Sequence, residues 1–192
     1  EGYTEVAIDA YPEFVDRVIE ECFRVLASGG WMICWHAFQW QREVFNSMIK
    51  HGLEVCPIPA FWVKPTQGQT NAPQTRLASV IEPFIYGRKG SGIIAKQGRN
   101  NRFEYAPVPS ADKIHPTERP IEMIQEVLET FAQSNSRVLI PFLGSGNSLL
   151  AANNAGMPAF GFDLDAGDEY RPNYIKRVQD GKLRQFSSYT VK

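Results

Sequence analysis

The spacing of apolar residues predicts helices and strands along most of the chain. In residues 12–27, apolar side chains recur every three or four positions, which predicts a helix with one buried face. Trp31–Trp35 is a nearly continuous apolar run, typical of a strand that is buried on both faces. A second helix is predicted over about 40–50. The β-branched and aromatic residues of 58–63 and 79–86 then favour a pair of antiparallel strands.

The C-terminal part of the sequence alternates more regularly. Pro120 is suited to the first position of a helix whose apolar face continues to Phe131. The later elements are predicted as a strand over 137–140, a helix over 148–155, a strand over 159–162 and a helix over 172–178. Alternating helices and strands favour an α/β fold with a mostly parallel sheet that helices cover on both faces.

Composition and length indicate an ordinary globular protein. The chain has 192 residues, 43% of them hydrophobic and 21% charged, which suits one domain with one insertion. Its three cysteines lack metal-ligand spacing, and we expect reduced thiols in a cytoplasmic protein. No run approaches the ~18 apolar residues of a membrane-spanning helix. Because residue 1 is Glu1, we expect the sequence to be a fragment or a trimmed chain.

One polar segment interrupts this order. Residues 87–114 contain glycine, proline and basic residues and few apolar ones, which predicts a long loop or an insertion. Its first part has five cations and no acidic residue: Arg88, Lys89, Lys96, Arg99 and Arg102. Such a segment can follow a phosphate backbone, although a solvated loop is the alternative. The net charge of −1 neither indicates nor excludes a nucleic-acid partner, because the position of the charges matters more than their sum.

The segment that carries chemistry is the strand, turn and helix from Val138 to Ser148. Gly144 and Gly146 allow the backbone to approach a ligand closely, and the helix that follows offers unpaired N–H groups. Asp163 ends the next strand, where a carboxylate can accept the hydroxyls of a ribose. The pattern therefore predicts a nucleoside site. A dinucleotide site would need a third glycine and a P-loop would need a lysine, while a tight turn without a ligand stays possible.

Several short motifs resemble one known family. Residues 141–147 read Pro-Phe-Leu-Gly-Ser-Gly-Asn and resemble the Asp-Pro-Phe-x-Gly-Ser-Gly-Thr loop of DNA methyltransferases that modify exocyclic amino groups. Other matches follow the order of a permuted class, in which the catalytic half precedes the cofactor half. They are Arg24–Gly30, Trp62–Lys64, Glu82–Tyr86, His115–Pro120 and Gly161–Asp163, followed by Tyr170 or Tyr174.

The resemblance implies a cofactor, S-adenosylmethionine, and the residues that hold it. Its methionine and sugar would lie along one loop, formed by Pro141, Phe142, Gly144, Ser145, Gly146 and Asn147. Asp163 would bind the ribose hydroxyls. His115, Thr117 and Arg119 would close the carboxylate end; taken without the family, His115 is a loop histidine and Arg119 a solvated residue of a first helical turn.

The resemblance also implies the reaction and the partner. The protein would transfer a methyl group to the exocyclic amino group of adenine or cytosine in DNA, with the target base flipped out of the duplex. Residues 1–192 would form a single, N-terminally incomplete domain of the Rossmann-like methyltransferase fold, with 87–114 as a target-recognition insertion. We expect a bacterial or phage protein with a role in DNA modification, such as restriction-modification. The oligomeric state stays open.

The sequence departs from the family at three points. Ile140 replaces the aspartate that supplies an acceptor near the cofactor, and Asn147 replaces a threonine, although its amide can still cap the helix. The catalytic motif Asp/Asn/Ser-Pro-Pro-Tyr/Phe is missing, since no Pro-Pro pair occurs. We expect this motif to precede Glu1 or to be lost, and we assign no catalytic residue. The alternatives are a DNA- or cofactor-binding remnant without turnover, or a methyltransferase that acts on RNA or protein.

Overall fold

The computed structural model describes residues 6–65, 70, 72–165 and 167–179. They fold into two compact units that divide between Tyr105 and Ala106. Each unit has its own sheet and its own apolar core. No helix among the described residues is long and apolar enough to span a membrane.

The N-terminal unit is a mixed sheet with two helices. Its elements in chain order are α1 (Tyr11–Val25), β1 (Trp31–Trp35), α2 (Gln41–Lys50), β2 (Glu54–Val55), β3 (Ala60–Val63), β4 (Ile81–Arg88) and β5 (Arg102–Glu104). The strand order is β1-β4-β3-β5, and β2 also pairs with β4. The apolar faces of α1 and α2 meet β4 in a core that includes Ile19, Met48 and Ile85.

The C-terminal unit contains the segment with the predicted cofactor loop. Its elements are α3 (Ile121–Phe131), β6 (Val138–Ile140), α4 (Asn147–Asn154), β7 (Ala159–Gly161) and α5 (Tyr170–Gln179). Strands β6 and β7 pair in parallel, with Leu139 opposite Phe160. Val138 and Ala159 point to the other face of this sheet and pack against a cluster around Ala152. The helices therefore hold the two strand ends, and the loops that leave them, side by side.

The pairing of the strands differs from the expected mostly parallel sheet. Among the described strands, β4 is antiparallel to β1, β2 and β3, and the parallel pairs are β3 with β5 and β6 with β7. The antiparallel pair predicted over 58–63 and 79–86 is confirmed as β3 and β4. No described helix joins these two strands, and a parallel pair usually requires a helical crossover, so the direct connection gives antiparallel pairing.

Two further expectations from the sequence are wrong in detail. All five residues of β1 are half-buried, because β1 lies at the edge of its sheet and pairs with β4 alone among the described strands. The segment 87–114 is more than a loop, since it includes the end of β4 and all of β5. Phe103 in β5 is buried and contacts Phe84, with 5.5 Å between the ring centroids. This buried aromatic side chain anchors the strand in a segment with few apolar residues.

Candidate cofactor site

The glycine-containing loop between β6 and α4 has the backbone conformation that its sequence predicts. Gly144 and Gly146 have φ values of +54° and +81°, in the region that favours glycine. Gly146 is the residue just before α4, which begins at Asn147. A Cβ on Gly144 would lie 3.3 Å from the His115 ring, and one on Gly146 would lie 2.3 Å from the ring of Tyr174. The two glycines thus allow close packing as well as the turn.

Asp163 lies just beyond β7, and its carboxylate is directed at this loop. Its Oδ2 accepts the N–H of Gly144 at 2.6 Å, and its Oδ1 accepts the N–H of Asp165 at 3.0 Å. An ionised carboxylate has about four lone-pair positions, so two N–H groups leave acceptor capacity for two more donors. Because Asp163 is an exposed residue, that capacity is accessible to the two hydroxyls of a ribose.

Exposed apolar side chains flank the loop and the carboxylate. Phe142 lies in the loop, and Phe162 and Leu164 are the chain neighbours of Asp163; all three are well exposed. Exposed apolar groups beside a carboxylate are typical of a binding surface. The set fits the adenosine part of S-adenosylmethionine, since a purine needs apolar contacts and its ribose needs acceptors.

His115 is buried beside the loop and is held by local contacts. Its Nδ1 accepts the N–H of Thr117 at 3.2 Å and lies 3.1 Å from the Thr117 hydroxyl. Its ring packs on Tyr170, with 4.6 Å between centroids. Burial lowers the pKa of His115, although the charges of Asp163 and Glu118 oppose this effect. His115 is therefore neutral at neutral pH, with its proton on Nε2.

Asn147 does not cap α4, contrary to the expectation from the sequence. It is the first residue of the helix, and its Nδ2 donates to Glu118 Oε1 at 2.8 Å and to the carbonyl of Arg119 at 2.9 Å. Its amide is therefore bonded to the segment before α3 and makes no capping hydrogen bond on α4. Ser145 is buried, and its Oγ accepts the N–H of Asn147 at 3.4 Å. Thr117 is exposed, while Pro141 and Arg119 are half-buried.

Three charged residues that the sequence analysis did not single out belong to this site. Glu118 and Arg177 form a buried ion pair with 2.6 Å between Arg177 Nη1 and Glu118 Oε1. Asp165 accepts the N–H groups of Glu169, Tyr170 and Arg171, the first residues around the start of α5. Desolvation raises the pKa of Asp165, but these hydrogen bonds outweigh it and hold the pKa below its usual value. Asp165 lies five positions before the first residue of α5, too far for the usual N-cap pattern to have indicated this cap.

The five predicted DNA-binding cations lie in the N-terminal unit, and three of them are half-buried there. Arg88 pairs with Glu54 at 2.6 Å, and Lys89 Nζ donates to the carbonyl of Phe23 at 2.7 Å. Arg99 lies 3.7 Å above the Phe103 ring and donates to the carbonyl of Arg102.

The remaining two cations are more accessible. Arg102 pairs with Glu104, and both Arg102 and Lys96 are exposed. Contacts with a nucleic acid therefore suit Lys96 and Arg102 best, whereas Arg88 and Lys89 stabilise the fold of their own unit.

Comparison with known proteins shows to which protein family the chain belongs. The model of a protein family described as DNA methylase, N6_N4_Mtase, matches residues 3–172. The chain belongs to this family. It is 40% identical over 166 residues to the Escherichia coli (strain K12) protein named "Putative methylase YubD", which covers 83% of this chain and 67% of that protein.

Solved structures of DNA methyltransferases share the fold of this DNA methylase. One is the complex of M1.HpyAVI with SAM, with a TM-score of 0.77 and 20% identity over 90% of this chain and 85% of that chain. Another is the PvuII DNA methyltransferase (cytosine-N4-specific), with a TM-score of 0.76 and 13% identity over 98% and 78% of the two chains. The expected methyltransferase fold and the expected family of DNA methylases that modify amino groups are thus confirmed. The comparisons leave the target base open.

Proposed function

We propose that this DNA methylase binds S-adenosylmethionine on residues 141–147, with Asp163 accepting both ribose hydroxyls. His115, Thr117 and Arg119 would then close the end of the site that receives the methionine carboxylate. The observation that carries the proposal is the Asp163 carboxylate, which holds the Gly144 N–H at 2.6 Å and still belongs to an exposed residue. A carboxylate that only closed the turn would need no accessible lone pairs.

Methyl transfer requires these residues mainly to bind the cofactor and to orient it. Bound S-adenosylmethionine would supply an electrophilic methyl group on a sulfonium, and transfer is a displacement that depends on alignment. Neutral His115 adds no positive charge beside a cationic donor, and Asp163 adds a negative one. The side chain of Ile140 offers no acceptor, and its carbonyl already accepts the N–H of Phe162 at 2.9 Å. Asp163 is therefore the main acidic anchor that we assign.

The test is the affinity for S-adenosylmethionine measured by isothermal titration calorimetry on the wild type and on Asp163→Asn. A hydrogen bond to a charged group contributes about 1.5–3 kcal/mol, so we expect affinity to fall about tenfold or more. Asp168→Asn is the matched control, because Asp168 is an exposed acid close in sequence with a positive φ that asparagine tolerates. Equal affinities of wild type and Asp163→Asn would reject the assignment.

We further propose that the methyl acceptor is the exocyclic amino group of adenine or cytosine, presented by a base that leaves the duplex. Lys96 and Arg102 would contact the phosphate backbone, because they are the exposed members of the basic segment. A cytoplasmic role in DNA modification belongs to the same proposal.

The salt dependence of DNA binding tests the role of these two cations. Each phosphate contact contributes about 0.9 to the slope of log affinity against log salt concentration, so the double variant Lys96→Gln/Arg102→Gln should lose up to about 1.8. The double variant Arg17→Gln/Arg76→Gln removes the same charge from two other exposed positions of the unit and should keep most of the slope. Equal losses in both double variants would indicate a general charge effect and reject the specific contact.

A second candidate function is that the 192 residues bind the cofactor but do not transfer its methyl group. Ile140 in place of an acidic residue and the absence of a Pro-Pro pair from the 192 residues favour it. Incubation with S-adenosylmethionine and DNA, followed by analysis of the nucleosides by mass spectrometry, separates the two. N6-methyladenine or N4-methylcytosine would identify the base and support methyl transfer, whereas cofactor binding without either product would support the second candidate.

A further inference from the structure

Side chains from three separate segments meet in one buried polar cluster of the C-terminal unit. Arg177 of α5 donates through Nη1 to Glu118 Oε1 at 2.6 Å and to Asn147 Oδ1 at 2.9 Å. Asn147 donates in turn to Glu118 Oε1 at 2.8 Å. The three side chains form a closed triangle that links α5, the segment before α3 and the first residue of α4.

The charged side chains of this cluster are buried, so their stability depends on the geometry of their hydrogen bonds. The side chain of Glu118 is 1% exposed and that of Arg177 is 11% exposed. A buried charge requires a partner in good geometry, because solvent cannot replace a missing hydrogen bond. The planar guanidinium of Arg177 donates from two nitrogens held in a rigid fork, a geometry that the ammonium group of a lysine does not reproduce.

Backbone groups extend the cluster over the whole segment 112–119. Arg177 Nη2 donates to the carbonyl of Asp112 at 2.7 Å, and Glu118 Oε2 accepts the N–H of Ile114 at 2.8 Å. His115 follows Ile114 directly, and its ring lies against Gly144 of the loop. The position of His115 relative to the loop therefore depends on the Arg177 guanidinium.

The same helix also touches the loop directly. Tyr170, Tyr174 and Arg177 recur at helical spacing along α5, so they share one face. Tyr170 packs on His115, and the Tyr174 ring lies against Gly146. One face of α5 thus contacts the loop, the histidine and the first residue of α4.

We infer that Arg177 is a positioning residue for the cofactor site: through Asn147 and Glu118 it fixes the start of α4 and the His115 segment on the two sides of the loop. The inference rests on the proposed binding of S-adenosylmethionine to residues 141–147. Arg177 touches no reacting atom and acts on the cofactor only through its neighbours. The threonine that is usual at position 147 in the resembled loop lacks the second polar group that this bridge uses.

The experiment compares the affinity for S-adenosylmethionine of Arg177→Lys, Asn147→Thr and the wild type by calorimetry. Each single variant should bind at least about fivefold more weakly, the lower end of coupling between linked sites. The double variant should lose less than the product of the two, because both changes break one bridge. Lys176→Met is the matched control, since Lys176 is exposed on the same helix, and it should bind as the wild type does.

A second readout separates positioning from general loss of stability. Hydrogen exchange of the segments 112–119 and 143–147 should accelerate in Arg177→Lys, while exchange in the core of α3 stays as in the wild type. Where Arg177→Met fails to fold, Glu118→Gln/Arg177→Met removes both buried charges. It should recover folding without recovering the affinity.

Two results would overturn the inference. One is wild-type affinity in folded Arg177→Lys, and the other is an equal loss in Lys176→Met. Both are distinct from failure of the proposed cofactor site, which would show as unchanged affinity in Asp163→Asn. A third pattern is that Asp163→Asn binds S-adenosylmethionine more weakly than the wild type while the Arg177 variants bind as the wild type does. That pattern would support the cofactor site and show that Arg177 does not position it.

Discussion

Gly146 combines two constraints in a single residue. Its φ of +81° lies in a region that side chains disfavour, and the Tyr174 ring occupies the place of a Cβ, 2.3 Å from its ideal position. Gly29 has nearly the same φ, +80°, but nothing lies within 4 Å of its ideal Cβ. Comparison of the two separates the backbone contribution from the packing contribution.

We expect Gly146→Ala to lower the free energy of unfolding by more than twice the effect of Gly29→Ala. The backbone term alone is about 1–2 kcal/mol, and alanine at 146 also displaces Tyr174. Urea unfolding followed by circular dichroism measures both variants. Gly146→Ala/Tyr174→Ala should recover the packing part, whereas equal effects of the two glycine variants would show that Tyr174 does not constrain the loop.

For single residues, the sequence predicts hydrogen-bond acceptors at the ends of strands better than it predicts buried networks of polar side chains. Asp163 could be predicted because its place after a strand defines its position relative to the loop. Arg177 could not, because its partners lie 30 and 59 residues away in the sequence and only the packing of α5 brings them together. Arg177 lies seven positions after Tyr170, on the helical face that meets the loop, and this spacing is the one signal in the sequence.

Helices α1 and α2 are joined by a polar contact as well as by their apolar faces. Asp16 of α1 accepts hydrogen bonds from Lys50 at 2.6 Å, Ser47 at 2.7 Å and His51 at 3.1 Å, all at or beside the end of α2. The hydrogen bonds from Lys50 and Ser47 lower the pKa of Asp16 to about 2. The ionised carboxylate is therefore the form that holds the helix pair.

This lowered pKa predicts how stability depends on pH. The pKa of an aspartate in the unfolded chain is about 3.9, so the contribution of Asp16 is fully present above about pH 4 and is lost as pH falls towards 2. The difference in the free energy of unfolding between wild type and Asp16→Asn should shrink over that range. Glu20→Gln, at an exposed position of the same helix, is the control. A constant difference from pH 5 to pH 2 would contradict the contact.

Strand β5 tests whether the polar segment 87–114 is part of the fold. The Phe103 side chain is 1% exposed, and we expect Phe103→Ala to cost about 3–5 kcal/mol in the free energy of unfolding. Ile93 lies in the same segment and is 72% exposed, so Ile93→Ala should change stability by less than about 0.5 kcal/mol. A small effect at Phe103 would favour the loop that the sequence alone predicts.

The spacing of apolar residues predicts some helices and strands and misses others. The apolar spacing in α1 and α3 predicts both helices, because a continuous face needs only local periodicity. The antiparallel pair of β3 and β4 is also predicted, whereas the pairing of β4 with β1 and β2 and the existence of β5 depend on contacts between distant residues. A segment with one apolar anchor, Phe103, carries too little periodicity to be recognised as a strand.

For the whole molecule, the match to the DNA methylase family and the fold shared with solved methyltransferases agree with the motif order along the sequence. The motifs of the cofactor half lie together in the C-terminal unit, where Asp163 and His115 both contact Gly144 of the loop. The basic segment lies in the N-terminal unit. In the cofactor half, the contact that we propose is between the Asp163 carboxylate and the ribose of S-adenosylmethionine.

A titration that varies both the protein and the ligand tests whether Asp163 and the ribose are in contact. The dissociation constants of S-adenosylmethionine and of an analogue without both ribose hydroxyls are measured on wild type and on Asp163→Asn. We expect either single change to weaken binding about tenfold or more and the two together to weaken it little further, because both remove the same hydrogen bonds. Losses that multiply in full would show that Asp163 and the ribose do not touch.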